Sequence, residues 1–337
     1  MKAAVFHGAN KPLEIEDVST PKIGPEEALI KIAACGVCHT DLHYLEGVPT
    51  FKKPPVILGH EASGLVTKTG EKVINVEVDD RVLIPPVLTC GYCYSCRIGR
   101  ENLCRNIVMI GNSIDGAYAE YAKIPAKDLI KLPKEIPLEE ASIISDAMST
   151  PFHALKNRAN LRPGDSVVIY GVGGVGLNAV QIAVALGASV IAVDKIDGKL
   201  KQAKELGASE TINVNDENPV KGVRRITGGG ADVAVEAIGI PEVMRMAFDS
   251  VRWGGRTVII GYSHKDVSIS AATLMFREKE VYGSLGCRIV DYPPLIDMIR
   301  RGRLKLLVSD KMPLEKINEA LEMLKEGKIK TRAIVTP

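Results

Sequence analysis

The spacing of hydrophobic residues changes character near the middle of the chain. From about residue 166, short apolar runs of strand length alternate with segments of helical periodicity, such as 199–207 and 241–252. The runs are SVVIYG, SVIAVD, ETINV, DVAVEAIG, RTVIIG and EVYGSL, which begin at residues 166, 189, 210, 232, 256 and 280. Six strands joined by helical crossovers predict a parallel, doubly wound α/β sheet that is covered on both faces.

The first 150 residues have a different pattern. Short alternating runs such as EALIKIAA, SGLVTKTG, DRVLIPPV and AEYAKIP are broken by Pro and Gly. This pattern predicts a β-rich, partly barrel-like domain. The tail returns to helix from about Asp291 and ends in the strand-like TRAIVTP. We therefore predict one domain over 1–150, completed by 290–337, and a second over 151–289.

Composition narrows the classes of partner. The chain has 337 residues, of which 46% are hydrophobic, and its 43 basic and 41 acidic residues give a net charge of +2. No basic block stands out, which argues against nucleic acid and anionic membrane as partners. The apolar stretch from Gly176 contains Asn178, Gln181 and Gly187, and it is better interpreted as helix, turn and strand than as a membrane span.

Cysteine usage points to metal. Four of the seven cysteines lie within fifteen residues, two more lie at Cys35 and Cys38, and Cys287 stands alone. An odd, clustered set without a signal-like apolar stretch at the N-terminus favours thiolates that hold metal in a reducing compartment, and we expect a cytoplasmic protein.

A glycine-rich turn directly follows the strand at 166 and opens a helix. Its Gly-x-Gly-x-x-Gly spacing allows a tight turn and close approach of backbone to a pyrophosphate at the helix N-terminus. An acid ends the next strand, where it can bind the ribose hydroxyls of an adenosine. The competing interpretation is a glycine-rich turn beside a solvated aspartate. The predicted cofactor contacts are Gly171, Gly173, Gly174, Val175, Gly176 and Asp194.

The segment CGYCYSCRIGRENLC places Cys90, Cys93, Cys96 and Cys104 on one loop. Four thiolates at this spacing indicate a closed, tetrahedral and therefore structural zinc site. An iron–sulfur cluster is the rival, but the ferredoxin pattern closes with a gap of three and a proline, whereas here the gap is seven and Arg105 follows.

Two further motifs, CGVCHTDLH and GHE, contain Cys38, His39, Thr40, His43, His60 and Glu61. Spacing alone does not make a metal site of a Cys and a His about twenty residues apart. Cys35 and Cys38 also form a C-x2-C pair that could be redox-active. The residues by themselves leave both interpretations open.

Taken together, these motifs resemble the zinc-dependent medium-chain alcohol dehydrogenase family over essentially the whole chain. CGVCHTDLH, GHE, the four-cysteine loop, DGAYAEY, GVGGVG and the acid at Asp194 occur in the family's order. The resemblance implies a Rossmann coenzyme domain and a GroES-like catalytic domain. It also implies two zinc ions per chain, NAD, and a catalytic zinc held by Cys38 and His60.

The third ligand of that zinc lies, in the family, in a segment that here is DAMSTPFHAL. Asp146 stands where most members have Cys, while secondary-alcohol members have Asp and polyol members have Glu. The resemblance thus implies that Asp146 ligates the metal, and carboxylate oxygen is an accepted zinc ligand. Glu61 is implied either as an exchanging fourth ligand or as a support of the site, and Cys35 is left as packing.

The resemblance assigns the remaining polar residues as well. Zinc acts as a Lewis acid on the alcohol, hydride passes to nicotinamide, and the proton leaves through Thr40 and the ribose to His43. His39 and Arg332 resemble positions that face the pyrophosphate, and Lys199 borders the ribose. Asp194 predicts preference for NAD over NADP, because a 2′-phosphate would meet its negative charge.

The implied partners are a small alcohol or carbonyl substrate and further copies of the chain, a tetramer being favoured over a dimer. Asp146 favours secondary alcohols, ketones or polyols, so a sorbitol- or threonine-type dehydrogenase is the alternative. Two other classes are disfavoured by these motifs. A zinc-free quinone reductase lacks Cys38, His60 and the cysteine loop, and a non-enzymatic zinc-ribbon protein needs no dinucleotide half.

Overall fold

The computed structural model describes residues 1–337. The chain forms two compact units: the first comprises Met1–Asp146 with Arg288–Pro337, and the second comprises Ala147–Cys287. The first unit is therefore built from two stretches of chain separated by the whole of the second. None of the helices combines the length and the apolar character that a membrane span requires.

The first unit is rich in short strands, as the alternating pattern predicts. Numbered along the whole chain, its strands are β1 (Lys2–Phe6), β2 (Glu14–Asp17), β3 (Glu27–Gly36), β4 (Val56–Ile57), β5 (Glu61–Thr69), β6 (Arg81–Ile84), β7 (Val87–Leu88), β8 (Val108–Met109), β9 (Tyr121–Pro125), β10 (Ile130–Lys131), β17 (Asp310–Pro313) and β18 (Ala333–Thr336). Its helices are α1 (His39–Leu45), α2 (Tyr94–Arg97), α9 (Tyr292–Arg300) and α10 (Ile317–Lys325).

The main sheet of this unit has the order β10-β6-β5-β3-β18-β17, with β9 also paired to β3. In β3 the side chains of Ala28, Ile30 and Ile32 are buried whereas Lys31 is exposed, which is the period of two expected for a strand with one buried face. The run DRVLIPPV is split into β6 and β7, because prolines at 85 and 86 cannot donate to a ladder.

Pairing in this sheet brings distant segments together. Gly36 at the end of β3 is opposite Glu61 at the start of β5, and it is also opposite Ile334 in β18. The residues that follow β3, those that precede β5 and those that precede β18 therefore meet at one place.

The second unit is a six-stranded parallel sheet. Its strands are β11 (Ser166–Tyr170), β12 (Ser189–Asp194), β13 (Glu210–Asn213), β14 (Ala231–Glu236), β15 (Val251–Ile259) and β16 (Glu280–Gly283). Its helices are α3 (Ser149–His153), which continues as a π-helical turn over Ala154–Arg158, then α4 (Gly174–Ala185), α5 (Asp197–Glu205), α6 (Pro219–Thr227), α7 (Pro241–Ser250) and α8 (Ala271–Phe276).

The strand order is β13-β12-β11-β14-β15-β16, and every pair is parallel. Residues 167–170 of β11 are all buried, as expected for a strand covered on both faces. The predicted doubly wound sheet with a second, β-rich domain is confirmed. The order reverses between β11 and β14, and ligands of such sheets bind beside the carboxyl ends of strands at that point.

Candidate functional site

Cys38, His60 and Asp146 lie together in the first unit, and we call this group the Cys38 centre. Cys38 follows β3 and caps the N-terminus of α1, and His60 directly precedes β5. Asp146 follows a 3₁₀ turn that is fixed by its neighbour Ser145. The Ser145 hydroxyl donates to the Ile84 carbonyl at 2.6 Å, and the Ser145 carbonyl accepts from the Tyr292 hydroxyl at 2.8 Å.

The donor atoms of this centre have distances that suit one small cation. The Asp146 Oδ2 atom lies 3.8 Å from Cys38 Sγ and 3.7 Å from His60 Nε2, and all three ligand atoms lie within 4.8 Å of one another. A tetrahedral zinc with ordinary bond lengths would need separations of roughly 3.3–3.6 Å. The residues therefore fit zinc with three protein ligands, which leaves one coordination position open for a substrate oxygen.

The electrostatics of the Cys38 centre favour positive charge. Burial by itself would lower the pKa of His60, but the Asp41 carboxylate, then Asp146 and Cys38, raise this pKa well above its ordinary value. The same acidic and thiol groups that stabilise a proton on the imidazole would stabilise a divalent cation in its place.

Asp41 orients the imidazole of His60 from the side away from Asp146. Its Oδ1 atom lies 3.5 Å from His60 Nδ1, and its Oδ2 atom accepts the Cys38 backbone N–H at 3.2 Å. A carboxylate facing Nδ1 favours the tautomer whose Nε2 is free to ligate a metal. Sequence reasoning missed Asp41, although its place three residues after Cys38 is the place of the acid in a capping box.

Glu61 and Arg332 form a buried ion pair. The Nε atom of Arg332 lies 2.7 Å from Glu61 Oε2, and the two side chains are 4% and 0% exposed. Gly36 is required here, since a Cβ at that position would lie 1.8 Å from Glu61 Oε2. The structure thus gives Glu61 a charge partner next to the Cys38 centre, and the sequence held no signal for it.

The predicted residues of the proton path lie on α1. The Thr40 hydroxyl is 3.6 Å from Cys38 Sγ, and His43 Nδ1 is 3.9 Å from Glu46 Oε2 with the His43 side chain 35% exposed. His39 is exposed at the first position of the helix. The structure therefore has a hydroxyl beside the Cys38 centre and a partly solvent-exposed imidazole on the same helix.

Cys35, the other member of the C-x2-C pair, is a free and fully buried thiol that donates to the Gly36 carbonyl at 3.7 Å. Burial raises its pKa well above the ordinary value, which disfavours the reactive thiolate. The structure therefore supports packing rather than redox chemistry for Cys35.

The four-cysteine loop forms a second centre. Its sulfur atoms are separated by 3.5 Å (Cys93–Cys96 and Cys90–Cys104) and by 3.9 Å (Cys90–Cys96 and Cys93–Cys104). A zinc tetrahedron with Zn–S bonds of about 2.3 Å has sulfur–sulfur edges of roughly 3.8 Å. Four thiol donors at these distances fit a zinc with no open position.

Neighbouring groups already favour ionisation at part of this loop. Backbone N–H groups of Cys96 and Arg105 lower the pKa of Cys93 to about 6, whereas burial and the adjacent Cys93 sulfur raise that of Cys96 to about 12. Thiolates crowded together without a cation would repel one another, so the arrangement needs a metal to be stable in its ionised form.

The glycine-rich turn in the second unit has the geometry of a phosphate cradle. Gly171 has a φ of +86°, and a Cβ there would lie 2.3 Å from Ile238; a Cβ at Gly176 would lie 1.8 Å from the Gly171 carbonyl oxygen. A Cβ at Gly173 would meet nothing, which leaves space for a ligand at the N-terminus of α4. The turn therefore fits a pyrophosphate.

Asp194 ends β12 beside this turn. Its carboxylate accepts backbone N–H groups from Val172, Lys195 and Ile196 at 2.9, 2.8 and 3.1 Å. A carboxylate has about four lone-pair positions, so room for a ribose hydroxyl remains. Lys199 lies half-buried on α5 and Val175 in the first turn of α4.

Two family descriptions match the chain. Residues 24–134 match the alcohol dehydrogenase GroES-like domain, and residues 174–301 match the zinc-binding dehydrogenase domain.

Individual relatives match over nearly the full length. The chain is 40% identical to an alcohol dehydrogenase of Geobacillus stearothermophilus, over 99% of this chain and 98% of the relative. It is 34% identical to an NAD-dependent alcohol dehydrogenase of Sulfurisphaera tokodaii, with both chains covered completely. The crystal structure of the alcohol dehydrogenase from Aeropyrum pernix superposes with a TM-score of 0.94 at 36% identity, again over 100% of both chains.

Proposed function

Because the chain belongs to the zinc-dependent medium-chain alcohol dehydrogenase family, we propose that it transfers hydride between an alcohol and NAD at the Cys38 centre. The observation that carries the proposal is the convergence of Cys38, His60 and Asp146, with all ligand atoms within 4.8 Å. Three ligands with an open fourth position are typical of a catalytic rather than a structural zinc.

In this proposal the two predicted domains have different roles. Residues 1–150 with 290–337 form the catalytic domain, and residues 151–289 bind NAD through the glycine-rich turn and Asp194. Each chain holds two zinc ions, one at the Cys38 centre and one in the four-cysteine loop. Five of the seven ligands of these two centres are cysteines, which must stay reduced to bind metal, and we therefore place the protein in the cytoplasm.

When bound, zinc supplies a Lewis acid for the alcohol or carbonyl oxygen, and NAD supplies the hydride acceptor or donor. The residues of the chain hold the metal and transfer the proton. Cys38, His60 and Asp146 hold the metal, Thr40 takes the proton that leaves the alcohol, and His43 delivers it to solvent. The Arg332 guanidinium neutralises Glu61 and thereby keeps the negative charge of Glu61 from adding to those of Cys38 and Asp146.

Metal counting and a substrate panel together test this function. We expect two zinc ions per chain and NAD reduction with secondary alcohols or polyols, which Asp146 favours. One zinc without turnover would indicate a zinc-binding protein instead, and turnover without zinc would indicate a quinone reductase.

Asp194 determines the choice of cofactor. We expect NAD to be favoured over NADP by at least about tenfold in kcat/KM, a difference of ~1.4 kcal/mol, because the 2′-phosphate of NADP would meet this carboxylate. No arginine is near in the sequence, and Lys195 offers one charge-assisted contact of roughly 1.5–3 kcal/mol, which softens the preference without reversing it. Asp194→Gly should lower or invert the ratio of kcat/KM with NAD to kcat/KM with NADP.

The matched control is Glu205→Gln, which removes an exposed charge at the far end of α5 and should leave the ratio within about twofold. Equal efficiency of the unchanged protein with NAD and NADP would show that Asp194 does not face the ribose.

The edge of the parallel sheet is proposed as the interface between copies. β16 is an edge strand, and the nearby side chains of Met275 and Phe276 are 62% and 76% exposed. An unpaired edge beside exposed apolar groups favours extension of the sheet across a two-fold axis. Light scattering at micromolar concentration should give at least a dimer and, by our expectation, a tetramer.

Phe276→Glu should lower the mass or raise the concentration needed for assembly. Phe51→Glu is the control, since Phe51 is equally exposed at 77% but belongs to the first unit. A monomeric mass of the unchanged chain is incompatible with this proposal.

A further inference from the structure

Tyr118, in the motif DGAYAEY, is a fully buried residue whose backbone is fixed at both ends. Its N–H donates to the Leu58 carbonyl at 3.0 Å, and its carbonyl accepts from the Ala4 N–H at 2.8 Å. Leu58 lies two residues before His60. The backbone of Tyr118 is thus tied to the segment that leads into a ligand of the Cys38 centre.

The ring of Tyr118 packs on the same segment. Gly59 has a φ of +87°, and a Cβ at this position would lie 2.7 Å from two ring carbons of Tyr118. Only glycine allows both this backbone conformation and this approach. The aromatic ring therefore determines where the backbone before His60 can lie.

The hydroxyl of Tyr118 reaches the other side of His60. It lies 2.8 Å from Asp41 Oδ2 and 3.2 Å from the Gly36 carbonyl oxygen. Burial, then the charge of Asp41, raises the pKa of Tyr118 well above its ordinary value, so the hydroxyl keeps its single proton as a donor. The charged and nearer acceptor, Asp41, is the stronger partner.

The Asp41 carboxylate is held in this way by two donors on one oxygen. Oδ2 accepts the Tyr118 hydroxyl and the Cys38 N–H, whereas Oδ1 has no hydrogen-bond partner and faces His60 Nδ1 at 3.5 Å. The bond to Tyr118 therefore directs the free oxygen of Asp41 towards the imidazole.

We propose that Tyr118 is a positioning residue of the Cys38 centre, which sets the orientation of His60 through the Asp41 carboxylate and through the backbone at Gly59. The inference rests on the proposed function in that it takes the centre to hold zinc. Partners of metal-ligating histidines outside the first ligand shell typically change metal affinity by 10–100-fold when they are lost.

Tyr118→Phe tests the hydroxyl, because it keeps the ring on Gly59 and removes only the bond to Asp41. Zinc affinity of the Cys38 centre is measured on the full chain by competition with a chelator, and the site is also loaded with Co²⁺ to record its visible absorption. We expect about tenfold weaker zinc binding, the lower end of the usual range, with a shifted Co²⁺ spectrum.

Tyr170→Phe is the matched control. Tyr170 is 1% exposed, and its hydroxyl lies 2.6 Å from Ser250 Oγ in the second unit. This change removes an equally buried hydroxyl bond, so it should reproduce any general loss of stability while leaving zinc affinity and the Co²⁺ spectrum unchanged. Wild-type affinity and spectrum in Tyr118→Phe would overturn the proposal.

A double-mutant cycle with Asp41→Asn tests whether Tyr118 influences zinc binding through the Asp41 carboxylate. If Tyr118 acts through Asp41, adding Tyr118→Phe to Asp41→Asn should weaken zinc binding by less than about twofold more. A full further tenfold loss would overturn the route through Asp41. Failure of the underlying function would look different, since the unchanged chain would then bind zinc only in the four-cysteine loop.

Discussion

Asp146→Ala is expected to slow alcohol oxidation by at least about 1000-fold while the chain keeps its fold and its other zinc. Removal of the carboxylate leaves Cys38 and His60 as the only ligands of the centre. Two protein ligands bind zinc too weakly to retain it in dilute solution. Loss of a Lewis acid worth several kcal/mol accounts for the rate, since 1000-fold corresponds to ~4 kcal/mol. Steady-state kinetics and zinc content, expected to fall from two ions to one, measure the effect.

Asp146→Cys is the matched variant for this experiment. A thiolate has the same formal charge as the carboxylate and is a common zinc ligand, so this variant should keep two zinc ions and stay within about tenfold of the original rate. If Asp146→Ala retained both ions and a near-original rate, Asp146 would not be a ligand.

Cys93→Ser is expected to lower the midpoint of thermal unfolding by about 10 °C and to remove one zinc ion per chain. Structural zinc contributes directly to folding free energy, and each kcal/mol lost shifts the midpoint by roughly 2–4 °C in a unit of this size. Well below the transition, kcat should stay within about threefold, because the Cys38 centre is untouched. Scanning calorimetry, zinc analysis and kinetics on the same sample separate these effects.

Cys287→Ser serves as the control, since Cys287 belongs to neither metal group. It should keep both zinc ions and unfold within about 2 °C of the original protein. Two zinc ions and an unchanged midpoint in Cys93→Ser would refute a structural role for the loop.

The fold could be predicted from the sequence because its signals are local. The central strands β11, β12 and β14 of the parallel sheet are short, nearly continuous apolar runs, and such runs arise when both faces are buried. The four-cysteine loop is equally local, since all its ligands lie within fifteen residues. In both cases the residues that act together are also neighbours in the sequence.

The Cys38 centre could not be predicted from spacing, since its ligands are brought together by the β3–β5 pairing and by the turn before Asp146. These ligands are predicted from the resemblance to the family, because the hydrophobic pattern and the spacing do not indicate them. The ion pair of Glu61 with Arg332 joins residues 271 positions apart, and the bond of Tyr118 to Asp41 joins residues 77 apart. Contacts between residues this far apart cannot be predicted from the local sequence pattern.

The discontinuous first unit has a consequence for biosynthesis. β18 occupies the position between β3 and β17 in its main sheet, yet it is translated after the whole of the second unit. The second unit, 147–287, is complete about fifty residues earlier, which at roughly 5–20 residues per second is several seconds. The nascent chain can therefore complete the second unit while the edge of β3 and the charge of Glu61 still await their partners, and the main sheet of the first unit is completed only after β18 has been translated.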